Sequence, residues 1–229
     1  MKIVIKIGTS TLTHSTGRTN IRRVADLCRV ISDLKNAGHE IILVSSGAIA
    51  MGVGKLNLST RPSDAPTKQA AAAVGQCELM YIYDRLFAEH NHTVAQLLIT
   101  APDIDDPVRK ENFHDTLSAT VAASVNADLL VLLSDIDGLY DQDPHINPHA
   151  RLIPVVEKLD EHILSLAGGK GSALGTGGMV TKLRAAQIAG AAGVDMVIAN
   201  GQDPLLLYDI AEGRPVGTKF LSGKRTCEV

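Results

Sequence analysis

Residues 2–7, KIVIKI, are a largely β-branched run that stops at Gly8, and a helix-spaced apolar pattern follows soon after. This alternation of period-two and period-3.6 segments recurs along the chain and constrains the fold more than any other feature. A helix is expected over residues 21–37, with Asn20 as cap, Val24, Leu27, Cys28, Ile31 and Leu34 on one face, and Gly38 past its end. Residues 41–45 are continuously apolar, as in a sheet covered on both faces, and stop at Ser46-Gly47. A long Ala-rich helix is expected over 67–90 behind Pro66, followed by a strand at 93–99. Past the polar residues 103–107, two short helices are expected, one around 108–113 and one over 116–126 capped by Asp115.

The second half repeats the pattern. An apolar strand at 129–133 runs into the turn-rich Ser134-Asp135-Ile136-Asp137-Gly138 and a polar connection to Val155. A helix near 161–167, the stretch GGKGSALGTGG, a helix over 179–192, a strand at 194–199, a helix from Pro204 and a final strand within 216–220 complete it. Strands separated by helices favour parallel pairing and right-handed crossovers, so the expected class is α/β, a three-layer αβα sandwich around a mainly parallel sheet. Ligands in such folds bind beyond the carboxyl ends of the strands. With 229 residues, one domain is the simplest division.

Composition narrows the function. Lys plus Arg total 22 against 25 for Asp plus Glu, a formal charge of −3, and aromatics are 3% with no Trp, which argues against a nucleic-acid partner. No apolar run approaches the roughly 20 residues of a membrane-spanning helix, and the amino terminus reads as a strand, not a signal peptide, so a cytoplasmic protein without membrane contact is expected. Cys28, Cys77 and Cys227 lack zinc or disulfide spacing, and His145 and His149 lie beside Pro144 and Pro148 in a segment without helical pattern. No protein-bound metal site is expected.

Three glycine loops carry the chemistry. Lys6-Ile7-Gly8-Thr9-Ser10 puts a lysine at a strand end, then a glycine that lets an anion approach, then two hydroxyls. Read alone, Lys6 could equally be an edge residue and Gly8 a plain turn. Ser45-Ser46-Gly47-Ala48 opens a helix whose free N–H groups can hold an anion. Gly175-Thr176-Gly177-Gly178-Met179-Val180-Thr181-Lys182 places glycines before a helix whose first turn ends in lysine; a flexible linker is the plainer alternative. Neither G-x-x-x-x-G-K-[ST] nor G-x-G-x-x-G occurs. Two lysines suit phosphoryl transfer, in which catalysis is mostly positioning and electrostatics. They repel each other, so a carboxylate must hold them, and Asp115 is the candidate, with a simple helix cap as its alternative role.

Together, VIKIGTSTLT, LVSSGAIAMG, KQAAAAVGQ, LLSDIDGLYDQDP and LGTGGMVTKLRAA resemble the amino-acid kinase family over nearly the whole chain. The resemblance implies that fold, with about 1–126 on the acceptor side and about 127–229 on the nucleotide side. It implies Lys6 and Lys182 as the phosphoryl-stabilising lysines, Asp115 as the aspartate orienting both, and Gly8 and Thr9 beside the phosphates. Ser134, Asp135, Tyr140, Asp143, Thr176, Gly177, Gly178, Met179, Val180 and Thr181 would complete the ATP site, and Ser46, Gly47 and Ala48 the acceptor loop. The implied reaction is ATP-dependent phosphorylation of the side-chain carboxylate of L-glutamate to the acyl phosphate in proline biosynthesis, with Mg²⁺ on the nucleotide. Homo-oligomer formation and feedback inhibition by proline are also implied.

Alternatives of the same fold are kinases of N-acetylglutamate, aspartate, carbamate or a nucleoside monophosphate, and outside catalysis an amino-acid or nucleotide sensor. The sequence departs from the family twice. It passes directly from His114 to Asp115 where the family carries a strand and an acceptor loop, so a further segment there is expected beyond these 229 residues, the alternative being a genuine deletion. It also ends soon after Phe220, without the appended C-terminal RNA-binding-like domain of many bacterial members.

Overall fold

The computed structural model describes residues 1–14, 16–98, 113–144, 146–166 and 178–223. In chain order the elements are β1 (Lys2–Ile7), α1 (Thr9–Leu12), α2 (Ile21–Asn36), β2 (Glu40–Ser45), α3 (Ala48–Lys55), α4 (Ala65–Ala88) and α5 (Phe113–Ser124). They continue with β3 (Leu129–Ser134), β4 (Val155–Val156), α6 (Glu161–Leu166), α7 (Met179–Ala191), β5 (Asp195–Asn200), α8 (Leu206–Ala211) and β6 (Thr218–Phe220). The strands form one sheet in the order β2-β1-β3-β5-β6-β4. All pairings are parallel except β5 with β6.

Strand alternation sorts the core into two layers. Ile3, Ile5 and Ile7 of β1 face a cluster with Leu27 and Ile31 of α2, Leu79 of α4 and Leu207 of α8. Val4, Leu130, Leu132 and Ile198 face the other side, against Ala119 and Ala122 of α5 and Leu183 and Ala186 of α7. Fully burying each such aliphatic side chain contributes about 1.5–3 kcal/mol, which drives helices onto both faces and produces the αβα sandwich. The α2 start is fixed by Asn20, whose side chain accepts from the Arg23 amide, and the α4 start by Asp64, which accepts from Thr67.

Two local expectations are corrected. Residues 92–98 form no strand, and Leu97 and Leu98 are 82% and 68% exposed. Ile99, the end of that expected strand, lies outside the described residues. Strand propensity is realised only against a neighbour, and among the described residues β2 pairs with β1 alone. Asp115 is not a cap: α5 begins at Phe113, so Asp115 sits inside its first turn, with its carboxylate drawn into contacts stronger than a cap bond. The helix expected around 108–113 falls mostly outside the described residues. No helix among the described residues is long and apolar enough to cross a membrane.

Candidate active site

Since Ile5 and Ile7 turn to one face of the sheet, Lys6 must turn to the other, toward α5 and α7. The register sets Lys6 between Val44 of β2 and Leu132 of β3, near the carboxyl end of the sheet. The first turn of α5 brings Asp115 over this position, and the first turn of α7 brings Thr181 and Lys182. Lys6 Nζ lies 2.5 Å from Asp115 Oδ1, and Lys182 Nζ lies 3.8 Å from Asp115 Oδ2. The Thr181 hydroxyl is 2.7 Å from Asp115 Oδ2. All four are buried, Asp115 at 2% exposure and Lys182 at 4%.

Two ammonium groups around one carboxylate leave a net positive charge in a buried cluster, which suits an anionic ligand. Burial alone would raise the Asp115 carboxyl, but the charges of Lys6 and Lys182, with hydrogen bonds from Lys6 and Thr181, hold it below the usual carboxylate value. Burial pushes the Lys182 ammonium below the ordinary lysine value and Lys6 adds to this, while Asp115 and Asp135 oppose it. Lys182 thus gives up its proton more readily than an ordinary lysine.

The flanking residues are arranged around this cluster. Gly8 caps α1, and a methyl built on it would meet nothing nearer than 3.7 Å, so an anion can approach the backbone there. Thr9 opens α1. At the end of β3, the Ser134 hydroxyl donates to Asp135 at 3.0 Å, and the Asp135 charge acts on Lys182. Gly178 caps α7 without a side-chain cap bond, and Met179 and Val180 follow, the latter 57% exposed. Thr176 and Gly177 lie outside the described residues. Next to β1, the Ser46 amide donates to the Ile7 carbonyl at 3.1 Å, which fixes the Ser46-Gly47-Ala48 loop expected to hold the acceptor. Gly47 caps α3 at φ 115°, a left-handed conformation that favours glycine.

Tyr140 and Asp143 stand further out, on the loop beyond β3. The Tyr140 hydroxyl donates to Asp137 at 3.1 Å, and the Asp143 carbonyl accepts from the Asn147 amide at 2.8 Å. Two contacts have no counterpart in the sequence reading. Asn200, at the end of β5, donates to Asp137 at 2.7 Å, and Thr181 joins Asp115 as well as the glycine loop. The rule that ligands gather at the carboxyl ends of parallel strands would have pointed to Asn200. A separate cavity of about 640 Å³ lies between the start of α2 and the loop after β5, bordered by His14, Arg22, Arg29 and Asp203, and neither lysine of the cluster lines it.

Comparisons with known proteins bear on the fold and the family. A profile of the amino acid kinase family matches residues 1–114 and again 112–200, so the match ends and resumes at one join. Glutamate 5-kinase of Clostridium perfringens is 44% identical over 258 aligned positions, covering 97% of this chain and 96% of the relative. Glutamate 5-kinase of Clostridium tetani is 47% identical over 249 positions, covering 95% and 93%. Both alignments are longer than the 229 residues of this chain. Among solved structures, carbamate kinase from Giardia lamblia bound to AMP-PNP superimposes with a TM-score of 0.67 at 17% identity, covering 96% of this chain and 98% of the other. Uridylate kinase from Archaeoglobus fulgidus gives 0.64 at 14% identity, covering 96% and 100%. These two likenesses speak for the fold, while the family match and the relatives at more than 40% identity together establish that the chain belongs to the amino acid kinase family.

Proposed function

We propose that this chain transfers the γ-phosphoryl group of ATP to the side-chain carboxylate of L-glutamate, giving L-glutamyl 5-phosphate and ADP, the first step of proline biosynthesis. The observation that carries the chemistry is the pair of buried ammonium groups, Lys6 and Lys182, set on Asp115 at the carboxyl rim of a parallel sheet. Glutamate as acceptor rests on the two relatives at 44% and 47% identity.

In this reading Lys6 and Lys182 are the catalytic residues, stabilising charge as it spreads over the transferred group, and Asp115 orients them. The acceptor carboxylate is already ionised at pH 7, so alignment replaces a general base. Ser46, Gly47 and Ala48 hold the acceptor. Gly8, Thr9, Ser134, Asp135, Tyr140, Asp143 and residues 176–182 hold the nucleotide. The residues present fit its phosphates: two ammonium groups, an open backbone at Gly8 and an α7 start with no side-chain cap. Mg²⁺, when bound with ATP, supplies charge neutralisation on those phosphates, keeping most of its water ligands. A cytoplasmic location, a homo-oligomeric assembly and proline as feedback inhibitor belong to the same proposal, on the family resemblance.

ADP release is to be measured with glutamate, N-acetylglutamate, aspartate, carbamate and a nucleoside monophosphate, with hydroxylamine trapping any acyl phosphate. Glutamate-dependent release with a trapped hydroxamate is expected; turnover with a nucleotide acceptor only overturns the proposal. One observation favours a second reading, a non-catalytic sensor: the family match breaks at residues 112–114, at the join where the acceptor segment was expected. That reading predicts nucleotide binding with no acceptor-dependent ADP release. If the segment exists beyond the present sequence, the protein from its native source has an intact mass well above 24.2 kDa.

A further inference from the structure

We propose that Thr181 is the positioning residue of this site: its hydroxyl, shared between Asp115 and the Gly178 carbonyl, sets which carboxylate oxygen faces each lysine and so couples the start of α7 to the Asp115–Lys182 separation. The inference rests on reading Lys6 and Lys182 as the phosphoryl-binding pair.

Thr181 is 4% exposed, and its Oγ1 stands 2.7 Å from Asp115 Oδ2 and 2.8 Å from the Gly178 carbonyl oxygen. A hydroxyl has one proton, so these two acceptors compete for it. When it points to Asp115, both carboxylate oxygens are engaged, Oδ1 by Lys6 at 2.5 Å and Oδ2 by Thr181. Lys182 then stands at 3.8 Å, an ion-pair distance longer than the roughly 2.7–2.9 Å of a tight ammonium–carboxylate bond. When the proton turns to Gly178, Oδ2 loses that donor in a buried site, with the Lys182 ammonium 3.8 Å away. An ammonium drawn fully onto Asp115 has less charge to offer an incoming phosphoryl group. Gly178 ends the glycine stretch, so the position of that backbone is transmitted to the lysine through one hydroxyl.

A valine keeps the shape of threonine and removes the proton; a serine keeps the proton. The test compares Thr181→Val and Thr181→Ser by steady-state kinetics with glutamate and ATP, and by NMR titration of the Lys182 ε-carbon, assigned through its loss in Lys182→Arg. Among the described residues, the charges acting on Lys182 include Asp115 from α5, Lys6 from β1 and Asp135 after β3. In Thr181→Val, Lys182 is expected to titrate at higher pH than in the parent. Its kcat falls about ten- to a hundredfold with a smaller change in KM for ATP, as expected where the lost hydroxyl acts through Lys182. Thr181→Ser restores both.

A Thr181→Val variant with parental kcat and an unmoved Lys182 titration overturns the proposal, as does a Thr181→Ser variant that fails like valine. If the parent releases no ADP with glutamate yet the titration still shifts in valine alone, the glutamate reading fails and the positioning role stands. Should Thr181→Val not fold, Thr181→Ala gives the same comparison.

Discussion

Lys6 and Asp115 are 109 positions apart in the chain and meet at 2.5 Å in the interior of the fold. The contact joins the first strand to a helix from the middle of the chain, so folding itself assembles the charge cluster. Removing the carboxylate leaves two ammonium groups facing each other, with the exposed Asp135 as the remaining counter-charge acting on Lys182. Asp115→Ala is expected to lose about 3–5 kcal/mol in urea unfolding, the usual cost of breaking a buried pair from one side. The deficit should shrink at alkaline pH, as Lys182 gives up its proton. In the parent, the Asp115 carboxyl titrates below its ordinary 3.8 when folded, so its stabilisation is present above that value and is lost as pH falls through the lower one. Asp115→Asn should lack that acid-side component.

In the proposed reaction Lys182 acts as a cation, and burial lowers its affinity for the proton. Its charge is therefore lost as pH rises through a value below the ordinary 10.5, and kcat/KM for ATP, which reports the free enzyme, should fall there. Asp135 opposes the downward shift, so Asp135→Asn should move the alkaline limb lower still. A limb at or above the ordinary lysine value in both proteins would contradict the assignment.

The contact between α3 and α4 depends on glycine. A methyl on Gly75 would overlap the Ala48 carbonyl and the Gly52 amide, and one on Gly52 would overlap the Ala71 carbonyl. The small residues of KQAAAAVGQ therefore let two backbones touch, and this packing supports the Ser46-Gly47-Ala48 loop proposed to hold the acceptor. Gly75→Ala is expected to cost about 3 kcal/mol in urea unfolding, the upper end for overpacking, because the methyl meets backbone on both sides. Where folded, it should raise KM for glutamate more than KM for ATP.

Thiol labelling tests the burial pattern independently of activity. Cys28 is buried, and its thiol is pushed up to about 12 by burial with help from Glu89, whereas Cys77 is exposed. In a Cys227→Ser background at pH 8, a maleimide should modify Cys77 rapidly and Cys28 only after denaturation. Rapid modification of both would contradict the packing of α2 on the sheet.

What could be read from the sequence followed the range of the forces involved. β1 was legible as a largely β-branched run, β2, β3 and β5 from their apolar runs, and α2 because its apolar spacing, Asn20 cap and terminal Gly38 agree. β4 was not: Val155–Val156 is two residues long and exists through its pairing with β6. The 93–99 segment has strand composition, but the described part finds no sheet neighbour, and composition alone does not supply one. Lys6 and Lys182 were found from glycine spacing, and Asp115 from the need for a counter-charge together with the family resemblance. The second role of Thr181 was hidden because the hydroxyl reaches a residue 66 positions away, a relation that only the packing of α5 against α7 creates.

Steady-state turnover of purified, folded Lys182→Ala with glutamate and ATP probes the two-lysine site most directly. Loss of an ammonium that meets the spreading phosphoryl charge should lower kcat at least about a hundredfold, roughly 3 kcal/mol of transition-state stabilisation, with the melting curve still cooperative. Near-parental turnover in the folded variant would contradict the assignment of Lys182 to phosphoryl transfer.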